Sequence, residues 1–455
     1  MERGEDQYEA VLPGAAVVDG DRGGSSRRRR GGGQVSAPAL DRKIEPKIDQ
    51  KIARSVQRIT STPFGQYQSA VIRIGFSATY LFFLLREFPH RHEMYGPDAP
   101  WRWDMAQQLI SGNQAFTALM WSDNTVWFEV VYAVALISAA LLMVGWHTRA
   151  MSVLFMAGVL SLQNRSIFMG DGGDNVIHLM AIYLMLTRCG RVWSLDARRA
   201  ARQARAGAGD SGHPARGSVA GAVLWAVLGL VLIVASATDG LGGTWWLPTL
   251  LWILWIGEGA WWAVNRYAPH SESRTLLDVI ANLAHNATLV VIMAEVCLIY
   301  ATAGWYKIQG SRWQDGTALY YPLKLDYFTP WPWLSDILAS SGVMVMLITY
   351  GTVVVQVAFP FTLFNRRVKN VLLVAMMCEH AGIALLLGLP FFSMAMIAAD
   401  SVFLPTVFLV WLGGRVTRVR GRLFPGRGTV PGQRRGTHDE EVPQHSGDGG
   451  HTLVG

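Results

Sequence analysis

Charge is what this sequence has least of. Asp, Glu, Lys and Arg make up 16% of its 455 residues, where ordinary soluble domains carry about 25%. The deficit argues against a soluble protein, which at this length would split into roughly two or three domains. Cysteine is nearly as scarce. Cys189, Cys297 and Cys378 show neither CxxC nor metal-ligand spacing. HExxH and its equivalents are absent, so no metal site is expected. The glycine-rich "GDGGDN" has neither the Lys-Ser/Thr nor the preceding strand of a phosphate loop, and reads as a tight turn with Asp174 or Asn175 capping the next helix. The alternation of an outer-membrane barrel is missing, and no inverted internal repeat of the transporter kind is visible. No cleavable signal peptide is evident, because residues 1–66 are polar and rich in Gly and Arg.

Apolar residues are abundant, at 51%, with 18 tryptophans. A helix that crosses a bilayer needs about 20 mostly apolar residues. Such runs lie near 68–86, 125–146, 150–169, 174–188, 218–237, 245–265, 278–303, 343–364, 370–390 and 394–413. The fourth is short. Several contain glycine and β-branched residues, but a lipid-embedded backbone must satisfy its own hydrogen bonds, so helix is forced. The expected fold class is all-α: a polytopic transmembrane helical bundle of about ten spans in the cell membrane.

The formal net charge is +7, and its placement argues against nucleic acid as the partner. Basic residues gather in Arg27 to Arg30, in Arg42 to Arg58, in "TRCGRVWSLDARRAARQAR", in "FNRRVKN" and in "GRVTRVRGR". With ten spans and the amino terminus inside, all of these fall on one side, and the positive-inside rule puts both termini in the cytoplasm. Removing any one span would throw the later clusters outside. The domain plan is then a disordered basic cytoplasmic extension (1–66), a transmembrane domain (67–413) and a low-complexity cytoplasmic tail (414–455). "KIEPKIDQKIARSVQRI" reads as an amphipathic helix ahead of the first span. The expected partners are membrane lipids; no protein partner can be named.

Ionisable residues within the runs are costly in lipid and usually face a bundle interior or a wet cavity. Here they are Arg73, Glu129, Arg165, Asp174, His178, His285, Glu295, Glu379, His380 and Asp400. Each alone reads as interhelical glue; together they suggest a polar cavity toward the outer leaflet. Asp171 and Asp174 are candidate partners for Arg165. His90, His92 and Trp101, in the loop 87–124, read as interfacial anchors. Lys307, in "YATAGWYKIQGSRWQDG", closes a long apolar run. It is either a lysine snorkelling into headgroups or an amine kept out of water for proton chemistry.

Four stretches carry a family pattern. "VIRIGFSATYLFFLL" has Arg73 and Gly75. "SLQNRSIFMGDGGDNVIHLMAIYLMLTRCGRVWSLDA" ends in Trp193 to Asp196. "YATAGWYKIQGSRWQDGTALYYPL" has Ala303, Gly304, Lys307, Trp313 and Gly316. "EHAGIALLLGLPFFSMAMIAAD" has His380, Phe391 and Asp400. In order and spacing the chain resembles the HTTM family, the membrane module of vitamin K-dependent gamma-carboxylases and many bacterial relatives. The resemblance covers most of 67–413 and implies a base at Lys307 that takes a proton from a reduced quinone such as vitamin K hydroquinone. Oxygen then converts the quinol to an epoxide through a strong base, which leads to glutamate carboxylation. His380 is the second implied catalytic residue. A further family histidine falls near Asn175 and His178, where a length difference leaves its place open. Arg73, Arg165, Trp305 and Trp313 are the implied cofactor-cavity residues. The carboxylase's large non-cytoplasmic domain has no counterpart in 414–455, so the resemblance speaks to fold and quinol chemistry more than to carboxylation. The competing expectation is a non-enzymatic membrane protein, a transporter or a partner of secreted or membrane factors, with Lys307 as an anchor and the buried charges as packing pairs.

Overall fold

A computed structural model describes residues 41–207 and 219–423 of the chain. It divides into two units, 1–55 and 56–455. Among the described residues every regular element is helical. The long helices are α1 (Asp41–Ser61), α2 (Gln66–Glu87), α3 (Thr125–Val144), α4 (Thr148–Arg165), α5 (Gly172–Leu186), α6 (Val219–Ala237), α7 (Trp246–Tyr267), α8 (Glu272–Gln309), α9 (Gly342–Ala358), α10 (Arg366–Leu386), α11 (Pro390–Asp400) and α12 (Thr406–Leu423). The expected amphipathic helix is α1; the expected disorder of the two termini concerns mainly 1–40 and 424–455, which lie outside the described residues.

Among the described residues, seven helical stretches are long and apolar enough to cross a membrane, or eight if α11 and α12, bent by 118° at their junction, count as one span. The expectation of ten is not met, and the shortfall falls on α4 and α5. With 18 and 15 residues, and with Arg149, Gln163, Asn164 and Arg165 on α4, they are too short or too polar. The physical reason is their surroundings. Both pack against other helices, α4 on α3 and α5, and α5 on α8 and α11. Helices that meet protein on most sides need no continuous apolar coat.

Small residues set the closest crossings, as expected where lipid offers no hydrophobic drive between helices. A Cβ on Gly75 of α2 would lie 2.5 Å from the Cβ of Ala398 on α11, and one on Gly158 of α4 would lie 2.7 Å from the Cβ of Ala135 on α3. Around these contacts sit Ile72, Phe76, Tyr80, Phe155, Met156 and Met180, all essentially inaccessible.

Three polar clasps tie the packing together. Arg73 donates to the carbonyls of Leu142, Met143 (2.9 Å) and Trp193 (2.8 Å). The Asp196 carboxylate accepts from the amides of His147 and Thr148 at 2.9 and 2.8 Å, closing the first turn of α4. The third clasp, on α8, grips the segment before α2: Asn282 donates to the Thr60 carbonyl, Asn286 to those of Ile59 and Thr62, and His285 Nε2 to that of Phe64. The His285 role follows because its Nδ1 already accepts the Arg188 amide at 2.9 Å. From Asn286 to Lys307, α8 rises about 32 Å, close to the ~30 Å hydrocarbon core of a bilayer.

The helices α6 and α7 form a hairpin of their own. Trp225 and Trp255 stack with centroids 4.4 Å apart and planes within 7°, and each indole donates to the other's carbonyl at 3.0 Å. Gly229 and Gly259 leave room for the rings; a Cβ at either would meet indole atoms within 3.0 Å.

Candidate functional site

Lys307 lies in the last turn of α8, whose end is closed by the Gly310 amide donating to the Lys307 carbonyl. The sequence gives this helix an apolar body that runs on past Tyr300, so the lysine emerges from a wall rather than from a loop. Gly304, one turn earlier, lets α9 come close: a Cβ there would lie 2.6 Å from Val357 Cγ2. That approach brings Gln356 of α9, 5% exposed, within reach. Lys307 Nζ donates to Gln356 Oε1 at 2.8 Å, and Gln356 Nε2 donates to Glu379 Oε1 of α10 at 2.5 Å. The amide spans cation and carboxylate, so the half-buried ammonium is held against α9 and α10. Trp313 covers it, with Nζ 5.2 Å from the ring centroid, a cation–π contact. Gly316, at φ +75°, turns the chain back toward α9.

The residue after Glu379 opens a second polar group. His380, 2% exposed, meets the Tyr300 hydroxyl through Nε2 at 3.0 Å, and that hydroxyl donates to Asp400 Oδ1 at 2.9 Å. A hydroxyl has one proton. Given to Asp400, it leaves the Tyr300 oxygen to accept Nε2–H from His380. Nδ1 of His380 is then a bare acceptor, and it has no partner among the described residues; neither has Asp400 Oδ2. Asp400 ends α11, where the chain breaks direction. Tyr300 sits two turns below Lys307 on α8, about 10 Å along the axis. Lys307 is within electrostatic reach of both Glu379 and His380.

The structure thus groups Lys307, Trp313 and His380, together with Gln356, Glu379, Tyr300 and Asp400. It does not bring in the other residues named from sequence. Trp305 is 60% exposed on the outer face of α8. Asn175 is exposed. His178 is tied through Nδ1 to Gln163 of α4 at 3.1 Å. Arg73 serves the carbonyl clasp. Arg165 donates to the carbonyls of Trp101 and Gly96, both at 2.8 Å. It does not pair with Asp171 or Asp174; Asp171 caps α5 and forms a capping box with Asp174, correcting the expected cap at Asp174 or Asn175. Glu129 binds Arg91 (2.9 Å) and His92 (2.8 Å). A hollow of about 210 Å³ beside His92, Glu93, Pro97 and Thr125 belongs to that loop and includes no residue of the Lys307 group.

Gln356 and Tyr300 escaped the sequence reading because neither is charged. The available signal was a lone amide in "TVVVQVAF", an expensive residue in an apolar run. Among the described residues, no group of His, Cys, Asp and Glu is arranged to hold a metal ion. Compared with known proteins, the chain matches no family model, no curated protein and no solved structure.

Proposed function

We propose that this chain is a multi-pass membrane protein of the HTTM, carboxylase-like kind, whose Lys307 acts as a base toward a reduced quinone at the non-cytoplasmic face. The supporting observation is the seating of Lys307: its amine is half-buried, bound by Gln356, backed by Glu379 and roofed by Trp313. A base of this type needs a partly dry site and a nearby counter-charge to take up a proton and give it back. A flat, apolar, acidic O–H donor such as a hydroquinone suits the indole of Trp313 that covers the amine. His380, with its bare nitrogen, is a second proton acceptor beside it.

In this proposal both termini face the cytoplasm. Leaving out α4 and α5 together removes two crossings, so every later basic cluster keeps its side. If the α11–α12 pair does not cross, "GRVTRVRGR" alone changes sides. A rival reading draws on the same bonds: Lys307, Gln356 and Glu379 satisfy one another, as a purely structural bridge of a non-enzymatic membrane protein would.

The test is quinol oxidation by the full-length protein in lipid, with oxygen and vitamin K hydroquinone or a menaquinol. Epoxide formed by wild type and lost in Lys307→Ala supports the base. Equal product from both, or none from either with any quinol, favours the structural bridge.

A further inference from the structure

Four arginines converge at the end of the fold opposite Lys307. The guanidinium carbons of Arg149, Arg188 and Arg274 lie 4.9, 5.3 and 4.2 Å from the ring centre of one indole, Trp261 of α7. They come from three different places in the chain: the first turn of α4, the segment after α5, and the first turn of α8. Arg191 joins them electrostatically and makes no side-chain hydrogen bond or ion pair among the described residues. Among the described residues, the acids that pair with them are Glu258, with Arg149, and Asp278, shared by Arg188 (3.0 Å) and Arg274. Four cations therefore face two carboxylates. Burial, then the neighbouring Arg191, Arg149 and Arg274, push the Arg188 guanidinium down to about 10. Such crowding is unfavourable unless an anion joins it.

The surroundings indicate the kind of anion. On α7, Ile253, Ile256 and Trp262 are 61, 57 and 52% exposed, and on α8, Leu276 and Ile280 are 59 and 54% exposed. These apolar side chains belong to the two helices that flank the arginines and pack on each other. A free phosphate has no use for them; an acyl chain does. The geometry points to a binding site for the phosphate of an anionic phospholipid, held by Arg188, Arg191, Arg149 and Arg274 over Trp261, with the acyl chain along α7 and α8. Arginine suits this task, because its planar fork presents paired donors to phosphate oxygens. The site lies at the end that carries the basic clusters, where anionic headgroups and positive loops meet. It owes nothing to the quinol reading.

Native mass spectrometry of the delipidated full-length protein tests it, with phosphatidylglycerol and phosphatidylcholine of the same chains. Wild type retains phosphatidylglycerol preferentially. Arg191→Gln breaks no side-chain hydrogen bond or ion pair among the described residues, and losing one charge-assisted bond weakens phosphatidylglycerol binding at least about tenfold, leaving phosphatidylcholine unchanged. Arg198→Gln, on the neighbouring exposed helix Leu195–Gly207, has no such effect. Equal retention of the two lipids, or an unchanged Arg191→Gln, overturns the site. If inorganic phosphate at matched concentration displaces phosphatidylglycerol fully, the lipid assignment is overturned in favour of a free-phosphate site.

Discussion

Replacing Arg73 by Met should damage the fold and leave any Lys307-dependent activity alone. The guanidinium is wholly inaccessible and serves the carbonyls of Leu142, Met143 and Trp193. Two of these belong to the last turn of α3, whose carbonyls lack helical partners and whose negative dipole end favours a cation. Hydrogen bonds to a charged donor contribute about 1.5–3 kcal/mol each, so three amount to roughly 4.5–9 kcal/mol before opposing terms. Against this stands the cost of keeping a guanidinium out of water, several kcal/mol, which Met does not incur. Breaking such a buried arrangement from one side typically costs about 3–5 kcal/mol, and that is the expected net loss. Lys should recover less than half, since one ammonium cannot fork across three carbonyls. The assay is denaturant or thermal unfolding of the purified protein in one fixed detergent, with α3–α4 followed by hydrogen exchange. A change below about 1 kcal/mol for Arg73→Met, or loss of quinol affinity with stability intact, would refute the clasp and return Arg73 to the cofactor cavity.

Other outcomes follow from the same geometry. Gly304→Val should part α8 from α9 and abolish any Lys307-dependent activity while Lys307 itself is retained; full activity in that variant would show that the Gln356 contact is dispensable. A double-mutant cycle between Lys307→Met and Glu379→Gln should give a coupling of about 1–3 kcal/mol, read by thermal unfolding, because Gln356 joins the two. Nitrogen-15 NMR of His380 should find Nδ1 without a proton at neutral pH, and Asp400→Asn, which can donate toward Tyr300, should reverse the tautomer; a wild type already protonated at Nδ1 would contradict the assigned bond directions. Burial pushes the Cys189 thiol up. The folded state therefore holds its proton when the unfolded chain has lost it, and stability should fall as pH rises above the ordinary thiol value of about 8.5; Cys189→Ala should flatten that alkaline slope in a pH series of unfolding midpoints.

Most helix positions were legible in the sequence because apolar run length is a direct readout of lipid contact. The run 125–146 became Thr125–Val144, and 245–265 became Trp246–Tyr267. Where contact is with protein, the signal weakens. α4 and α5 were found as helices, but their fitness to cross a bilayer was overrated because burial by α2, α3 and α11 cannot be seen in a local window. The apolar run starts near 278, whereas α8 begins at Glu272, because its first turns are polar: Arg274 meets Asn265 and Trp261 of α7, and Asp278 pairs with Arg188 of the segment after α5. At the candidate site, Lys307 and His380 stood out by charge. What links them is Gln356, Tyr300 and a glycine, residues whose role depends on which helix faces which. Arg73 and Arg165 carried the same signal as Lys307 and turned out to grip main-chain carbonyls. Residue type alone does not separate a structural cation from a reactive one.

α4 is too polar and α5 too short to hold a place in lipid alone, yet α11, which covers α5 and α2, is synthesised more than two hundred residues after α5. During that interval the pair must be sheltered by α2 and α3, which emerge first, or by the insertion machinery. The chain is therefore most exposed to quality control before residue 390 has left the ribosome. Truncations ending ahead of α11 should be degraded, while the α6–α7 hairpin, clasped by its two tryptophans, should insert without waiting for either neighbour.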